Sequence, residues 1–461
     1  MQADDYWGVR VVTDPRVAPG GERIAFVIGR HDRTEDAAVT EIFVAESDGR
    51  DPRPFTQRRA HSPRWSPDGR SLAYCAAVDD SMQLVVGSLD GGEPRTLTEG
   101  KRSPTTPVWS PDGTRMAFVR LVDDPKPDSA VERNAPTIVR GMRSRFDGIG
   151  DLVGKRSHLV VVDVVSGDTT QLTSGDFDCT EPAWSPDSES IAFVSDRRRK
   201  RHDQFLRGDL YVVPARGGRS RKLTAGLERT TAPSFSPDGA KIAVLGSRTG
   251  GKFWSTHPRV LVADVGTGDV VELGQTIDRP TVGSRYGGCQ LAWLDDDTVL
   301  TTFNERGSVV LARVSTDPEA PAETLLDGDR LVVAFDAQDG VLAWVEFWLD
   351  RLPELQRARI PARGRIRRST AVTAVNDALS EQLDLRPATR HTHLAADGVE
   401  IESFVIEGRG RGRRPGVIDV HGGPIGSHPQ HTPRVVLLYQ VLAGAGYTVI
   451  LPNPRGSTGY G

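Results

Sequence analysis

A proline, an aspartate and a glycine recur in fixed order along the first three-quarters of the chain, and this recurrence restricts the fold more than any other feature. The motif stands as PRWSPDGRSLAYC from Pro63, PVWSPDGTRMAFV from Pro107, PAWSPDSESIAFV from Pro182 and PSFSPDGAKIAVL from Pro233. A weaker form, PRVAPGGERIAFV from Pro15, opens the series, and two eroded ones close it, LAWLDDDTVLTTF from Leu291 and VVAFDAQDGVLAWV from Val332. Proline presets φ for the first turn position, aspartate bonds its own backbone, and glycine takes a left-handed conformation that a β-carbon penalises. Apolar and polar residues alternate on either side, as in Arg115, Met116, Ala117 and Phe118, so each copy predicts a strand, a tight turn and a strand.

A second pattern follows each full copy: LVVGSLDGGEPRTLTEG from Leu84, LVVVDVVSGDTTQLTSG from Leu159, LYVVPARGGRSRKLTAG from Leu210 and VLVADVGTGDVVELG from Val260. Two hairpins per repeat make four antiparallel strands, and the repeats run roughly 45 to 75 residues against the 40 to 50 of a propeller blade. Seven starts predict an all-β seven-bladed β-propeller. Trp65, Trp109, Trp184 and Trp293, with Phe235 in the same slot, hold one position before the turn, which fits packing between blades better than an aromatic ligand cage.

The third repeat carries an insertion from Leu121 to His158, polar, turn-rich and with little strand periodicity; loops of that length often gate or bind, with plain decoration as the alternative. The basic runs RRRKRH (Arg197 to His202) and RGRGRRP (Arg409 to Pro415) lack interleaved aromatics and read as solvated loop tips. With 58 basic against 62 acidic residues and a net charge of -4, the chain has no concentrated cationic surface, so no nucleic-acid partner is expected. Acidic residues at the start, and no apolar run of membrane-spanning length, predict a cytoplasmic protein with no membrane partner. Cys75, Cys179 and Cys289 are widely spaced, each in or near a strand-like run, and read as small apolar core residues of a reduced protein.

After TAVTAVNDALSEQLDL the propeller rhythm stops. IESFVIEG, PGVIDV and GYTVILP read as short strands, and PRVVLLYQVLAGAG as a helix with Pro433 at its first position. Val417, Ile418 and Val420 suit a sheet covered on both faces, the opening of an α/β domain. The loop after the second strand is HGGPIGSHP; consecutive glycines at a strand's carboxyl end let backbone N–H groups approach an oxyanion, as in the HGGG-type loops of esterases. The histidines His391, His393, His421, His428 and His431 match no zinc spacing, and neither metal nor cofactor is expected.

WSPDG repeats followed by a strand ending HGGP and then NPRGSTGYG resemble the prolyl oligopeptidase family of serine peptidases, most closely its acylaminoacyl-peptidase-like branch. The resemblance spans nearly the whole chain. It implies a propeller at 1–378, with about residues 1–13 packing on the other part, and the N-terminal part of an α/β-hydrolase domain at 379–461. It implies hydrolysis of short or N-acylated peptide substrates filtered by the propeller. Gly423 then offers an oxyanion N–H, with Gly422 and His421 shaping that loop, and Arg455, Gly456, Ser457 and Tyr460 line the pocket. No G-x-S-x-G occurs, and Ser457 has Arg455 where the first glycine of an elbow belongs. The family's Ser, Asp and His are therefore expected in a missing C-terminal catalytic portion, with this chain inactive alone and an uncovered sheet edge making its last segment unstable. For His421 as a base, no nucleophile or orienting group can be named from sequence. The alternative is a non-catalytic propeller binding peptides or proteins. A dipeptidyl-peptidase reading is disfavoured, because that branch has a Glu-Glu pair and a tyrosine in place of the HGGP histidine, and this chain has neither. A homo-oligomer stays open.

Overall fold

The computed structural model describes residues 1–461 except 58, 80, 124–135, 137, 140–143, 147–149, 199–206, 251–255, 283–286, 424, 425 and 430–432. The chain folds as two compact units, Arg64–Leu273 and Met1–Pro63 with Gly274–Gly461.

In the unit Arg64–Leu273 the repeats become four antiparallel sheets among the described residues, each a meander of four strands in chain order. The first begins at Ala60–Trp65, the second at Thr105–Trp109, the third at Cys179–Trp184 and the fourth at Glu228–Phe235. The turns form as the motif predicts, with one addition. In the second sheet Ser110 Oγ donates to Asp112 Oδ1 (2.5 Å) and accepts from Arg115 N (3.0 Å), while Thr114 N donates to Asp112 Oδ1 (3.0 Å) and Gly113 sits at φ +73°. The motif serine thus locks the turn from inside. Ser66, Ser185 and Ser236 do the same with Asp68, Asp187 and Asp238. Ser188, standing in for the glycine, is pushed to φ +62°.

Consecutive sheets pack face to face. Ala117, Leu159 and Val161 of the second meet Ile191, Phe193 and Tyr211 of the third, and Ala192, Leu210 and Leu223 of the third meet Ile242, Val244 and Leu261 of the fourth. The tryptophans stitch this packing, since Trp109 Nε1 donates to Arg64 O (3.0 Å) and Trp184 Nε1 to Val108 O (3.2 Å), each on the preceding sheet's first strand. Cys75 and Cys179 are fully buried, as expected of core cysteines.

Two expectations change here. Strands Arg115–Asp123 and Lys155–Asp163 pair throughout, so the ends of the predicted insertion are ladder; most of the remainder, with its gating role, lies outside the described residues. Arg197 is not a solvated tip: its guanidinium lies 4.2 Å from the Phe177 ring centroid and 4.3 Å from that of Tyr211, with Nη1 donating to Ser220 Oγ (2.7 Å). Residues 199–202 of that run are outside the described residues.

In the unit Met1–Pro63 with Gly274–Gly461, strands from Val11–Val17 to Arg53–Pro54 form one four-stranded meander. The two eroded repeats form the groups Ala292–Asp295 to Glu323–Leu326 and Leu331–Gln338 to Thr370–Ala371, joined by one parallel pairing, Val309 with Leu331. Val12, Ile24 and Phe26 of the first repeat pack on Val341, Ala343 and Leu355 of the last. Cys289 departs from the apolar reading: it is half-buried, its thiol donates to Asp336 Oδ1 (2.7 Å), and Arg16 Nη1 approaches its sulfur at 3.3 Å.

The period change after residue 385 produces a different sheet, in the order Ala388–Leu394, Glu400–Ile406, Thr448–Asn453, Gly416–Ile418. The last two are parallel and the rest antiparallel. The helix Pro433–Gly444 begins at the expected proline and buries Val436, Leu437, Tyr439 and Ala443. Phe404, Ile406, Val449 and Leu451 join the core of the eroded repeats. The N-terminal segment lies beside this helix, with Val9 and Leu437 sharing a cluster with Met1 and Tyr6. The expected cover of the strand Gly416–Ile418 is not found: at this edge of the sheet Ile418 is 64% and Val420 65% exposed. No helix of the described residues is long and apolar enough to cross a membrane.

Candidate functional site

Because Gly416–Ile418 and Thr448–Asn453 run parallel and adjacent, the loops that leave their carboxyl ends emerge side by side. Those loops are HGGPIGSHP and PRGSTGYG. Their juxtaposition follows from the crossover through the helix Pro433–Gly444, which returns the chain to a parallel neighbour.

The loops are tied directly. His421 Nε2 lies 2.8 Å from Ser457 Oγ and Thr458 N donates to Gly426 O at 2.9 Å. The Ser457 hydroxyl also reaches Pro454 O (2.7 Å), and His421 Nδ1 lies 3.1 Å from Gly422 O. A hydroxyl has one proton, so when it serves Pro454 O it accepts from His421 Nε2–H; when it serves the ring, Nδ1–H points at Gly422 O. Sequence named no nucleophile within reach of His421, yet Ser457, 36 residues away, is in contact with it. Among the described residues no carboxylate orients the His421 ring; the Asp419 carboxylate stands instead beside His428 Nε2 (3.9 Å) and accepts from the Tyr439 hydroxyl. Burial, then Asp419, pushes that phenol above its ordinary range.

Gly422 and Gly423 are exposed, with Gly423 at φ +140°, a conformation open to glycine alone. A β-carbon on Gly426 would come within 2.6 Å of Gly422 O, so the loop folds tightly on itself. Pro424 and Ile425 lie outside the described residues.

The second loop is shaped from below. Asn453 Oδ1 accepts from His428 N (2.7 Å), while Asn453 Nδ2 donates to His428 O (3.0 Å) and to the Tyr460 hydroxyl (2.8 Å). Tyr460 donates to Glu402 Oε1 (2.6 Å), which also accepts from Arg390 Nη1 (2.9 Å). Burial, then Glu402, raises the Tyr460 phenol. Arg306 packs 5.6 Å from the Tyr460 ring centroid and pairs with Glu400 at 2.9 Å. Of the four sequence-predicted pocket residues, Arg455 and Gly456 are exposed, and Arg455 pairs with Asp397, whose carboxyl that hydrogen bond holds below its usual range. Ser457 and Tyr460 are turned inward to hold the loop.

The histidines do not assemble. His421 and His428 meet edge to face with centroids 5.4 Å apart, whereas His391 and His393 lie on Ala388–Leu394 and His431 is outside the described residues. No group of three metal-ligating side chains occurs among the described residues. The sequence singles out neither Asn453 nor Glu402 as a framing residue; only the asparagine ahead of PRGSTGYG carries a signal, by its place at a strand end.

The chain is similar to known peptidases along most of its length. A family model for the acylaminoacyl-peptidase N-terminal β-propeller domain matches residues 127–348. The uncharacterized peptidase YuxL of Bacillus subtilis is 28% identical along all of this chain and 72% of its own length. Dipeptidyl-peptidase 5 of Porphyromonas gingivalis is 23% identical across 98% of this chain and 67% of its own. The acylaminoacyl peptidase of Pyrococcus horikoshii superposes with a TM-score of 0.79 at 20% identity, over all of this chain and 68% of that one. Residues 127–348 therefore match a β-propeller domain of acylaminoacyl-peptidase-like fold, and the relatives and structural neighbours of the chain are acylaminoacyl peptidases and members of the prolyl oligopeptidase family, the resemblance its motifs carry.

Proposed function

We propose that this chain supplies the substrate-admitting propeller and the oxyanion side of a serine-type peptidase site acting on short or N-acylated peptides. The observation that carries the reading is the pairing of two glycine-bearing loops at the ends of neighbouring parallel strands, joined by His421 and Ser457 at 2.8 Å. Such a pair presents backbone N–H groups where a tetrahedral intermediate builds negative charge. Gly423 is the N–H donor in this reading, with His421 and Gly422 setting the loop. Arg455 is the exposed pocket residue, its head paired with Asp397, while Ser457 and Tyr460 keep the loop's shape.

The four sheets of one unit and the three repeats of the other are, in this reading, seven blades over residues 1–378. Residues 379–461 then begin an α/β-hydrolase domain, and the exposed Ile418 and Val420 at the sheet edge, with Leu438 on the helix, fit elements that take further cover. No described residue is assigned as nucleophile, and in this reading the chain by itself is inactive.

Relatives named dipeptidyl-peptidase 5 favour a second reading, release of dipeptides from a free amino terminus. The two separate on substrates when the chain is co-expressed with the part of the Bacillus relative that it does not match. Hydrolysis of N-acetylated but not free chromogenic peptides supports the first, and the reverse supports the second. Capture of intact peptides without hydrolysis in any pairing leaves a binding propeller.

A further inference from the structure

The hairpin between strands Thr298–Glu305 and Ser308–Ser315 belongs to the first eroded repeat, yet its tip stands between the two loops of the candidate site. Asn304, 1% exposed, donates from one amide nitrogen to Ser427 Oγ (3.1 Å) in the HGGP loop and to Thr458 Oγ1 (2.8 Å) in the PRGSTGYG loop. Arg306 N donates to Gly459 O at 2.9 Å. Hairpin and loops are pressed together: a β-carbon on Gly307 would lie 2.6 Å from the backbone oxygen of His428, and one on Gly459 2.7 Å from the side-chain oxygen of Asn304.

We propose that Asn304 is a positioning residue, through which the repeat Ala292–Leu326 sets the spacing of the oxyanion loop and the pocket loop. The role rests on the peptidase reading for its purpose but not for its geometry. A buried amide bonded to both loops resists their separation, because pulling either one away strands a polar group without water. The two hydroxyls are 3.3 Å from each other, a longer contact than either makes with Asn304. A displacement of the hairpin then reaches the Gly423 side and the Arg455 side together.

Amide hydrogen exchange on the full chain tests this. In N304A, exchange in 426–428 and in 457–459 rises by about tenfold in each loop, with strand Ser308–Ser315 unchanged, since local opening is separable from global unfolding. The double variant S427A/T458V, which keeps Asn304, reproduces the pattern and serves where N304A does not fold. S427A alone acts chiefly on 426–428. Loosening of one loop only in N304A, of neither, or of the whole unit in parallel overturns the positioning role. The measurement needs no peptide chemistry, so a failure here leaves the peptidase reading standing, and failure of peptide hydrolysis leaves this result untouched.

Discussion

Asn453 and His428 hold each other by two reciprocal hydrogen bonds, His428 N to Asn453 Oδ1 at 2.7 Å and Asn453 Nδ2 to His428 O at 3.0 Å. A side-chain amide at a strand end thereby stands in for a backbone pairing partner and fixes where the HGGP loop turns. Asn453→Ala leaves a buried N–H and C=O unpaired, a cost of about 1–3 kcal/mol. Urea unfolding of the unit containing residues 274–461 should show that loss, and an unchanged midpoint would remove Asn453 from the account.

The tryptophans should behave as packing residues with one polar tie. Trp184→Ala is expected to cost about 3–5 kcal/mol, the range for truncating a buried aromatic. Trp184→Phe keeps most of the packing and loses only the bond to Val108 O, about 1 kcal/mol. Equilibrium denaturation distinguishes the two; equal losses would make the hydrogen bond, not the packing, the main contribution.

Stability should fall at both ends of the pH scale for different groups. Hydrogen bonds from Ser66 and Ser185 to Asp68 and Asp187 lead in holding those carboxyls below their ordinary range, and Asp112 is lowered by its Ser110 and Thr114 bonds against the opposing effect of burial. A folded-state pKa below the unfolded one gives stability that is complete above about pH 4 and lost as pH falls further. Tyr439 and Tyr460 are raised, so their contribution is complete below about pH 10 and lost above it. Melting temperature against pH should therefore drop on both sides, and Ser110→Ala should blunt the acid limb. An acid limb unaffected by Ser66→Ala, Ser110→Ala and Ser185→Ala together contradicts the assignment.

Tyr460 can be checked alone. Ultraviolet titration at pH 10, where free phenols are about half ionised, should give nearly the same tyrosinate signal for the native chain and Tyr460→Phe, because the buried Tyr460 stays protonated. A signal lower in the variant by half a tyrosine would place Tyr460 in solvent.

The repeats were legible because turn chemistry is local: Pro67, Asp68 and Gly69 dictate a hairpin whatever surrounds them. The helix start at Pro433 was legible for the same reason. Less visible were features set by tertiary pairing. Asp14, Thr106, Glu181 and Ala232 take positive φ directly before a proline, at strand bulges, where a pre-proline residue ordinarily prefers the extended region. Arg197 looked like part of a solvated basic run because nothing adjacent reports that Phe177 and Tyr211 close over it. In the candidate site the glycines were readable and the polar frame was not, since Asn304 meets Thr458 across 154 residues. Cys289 shows the same limit, its polar setting supplied by Arg16 and Asp336 from distant strands.

The central claim is that these residues frame a hydrolytic site without providing its nucleophile. Labelling of the purified 461-residue chain by a fluorophosphonate probe tests it most directly. The account predicts no labelling of the chain alone, and labelling only of a catalytic partner polypeptide when the two are co-expressed. Labelling of this chain that disappears in Ser457→Ala contradicts the account, because it would make Ser457, with His421 as its base, the reacting pair.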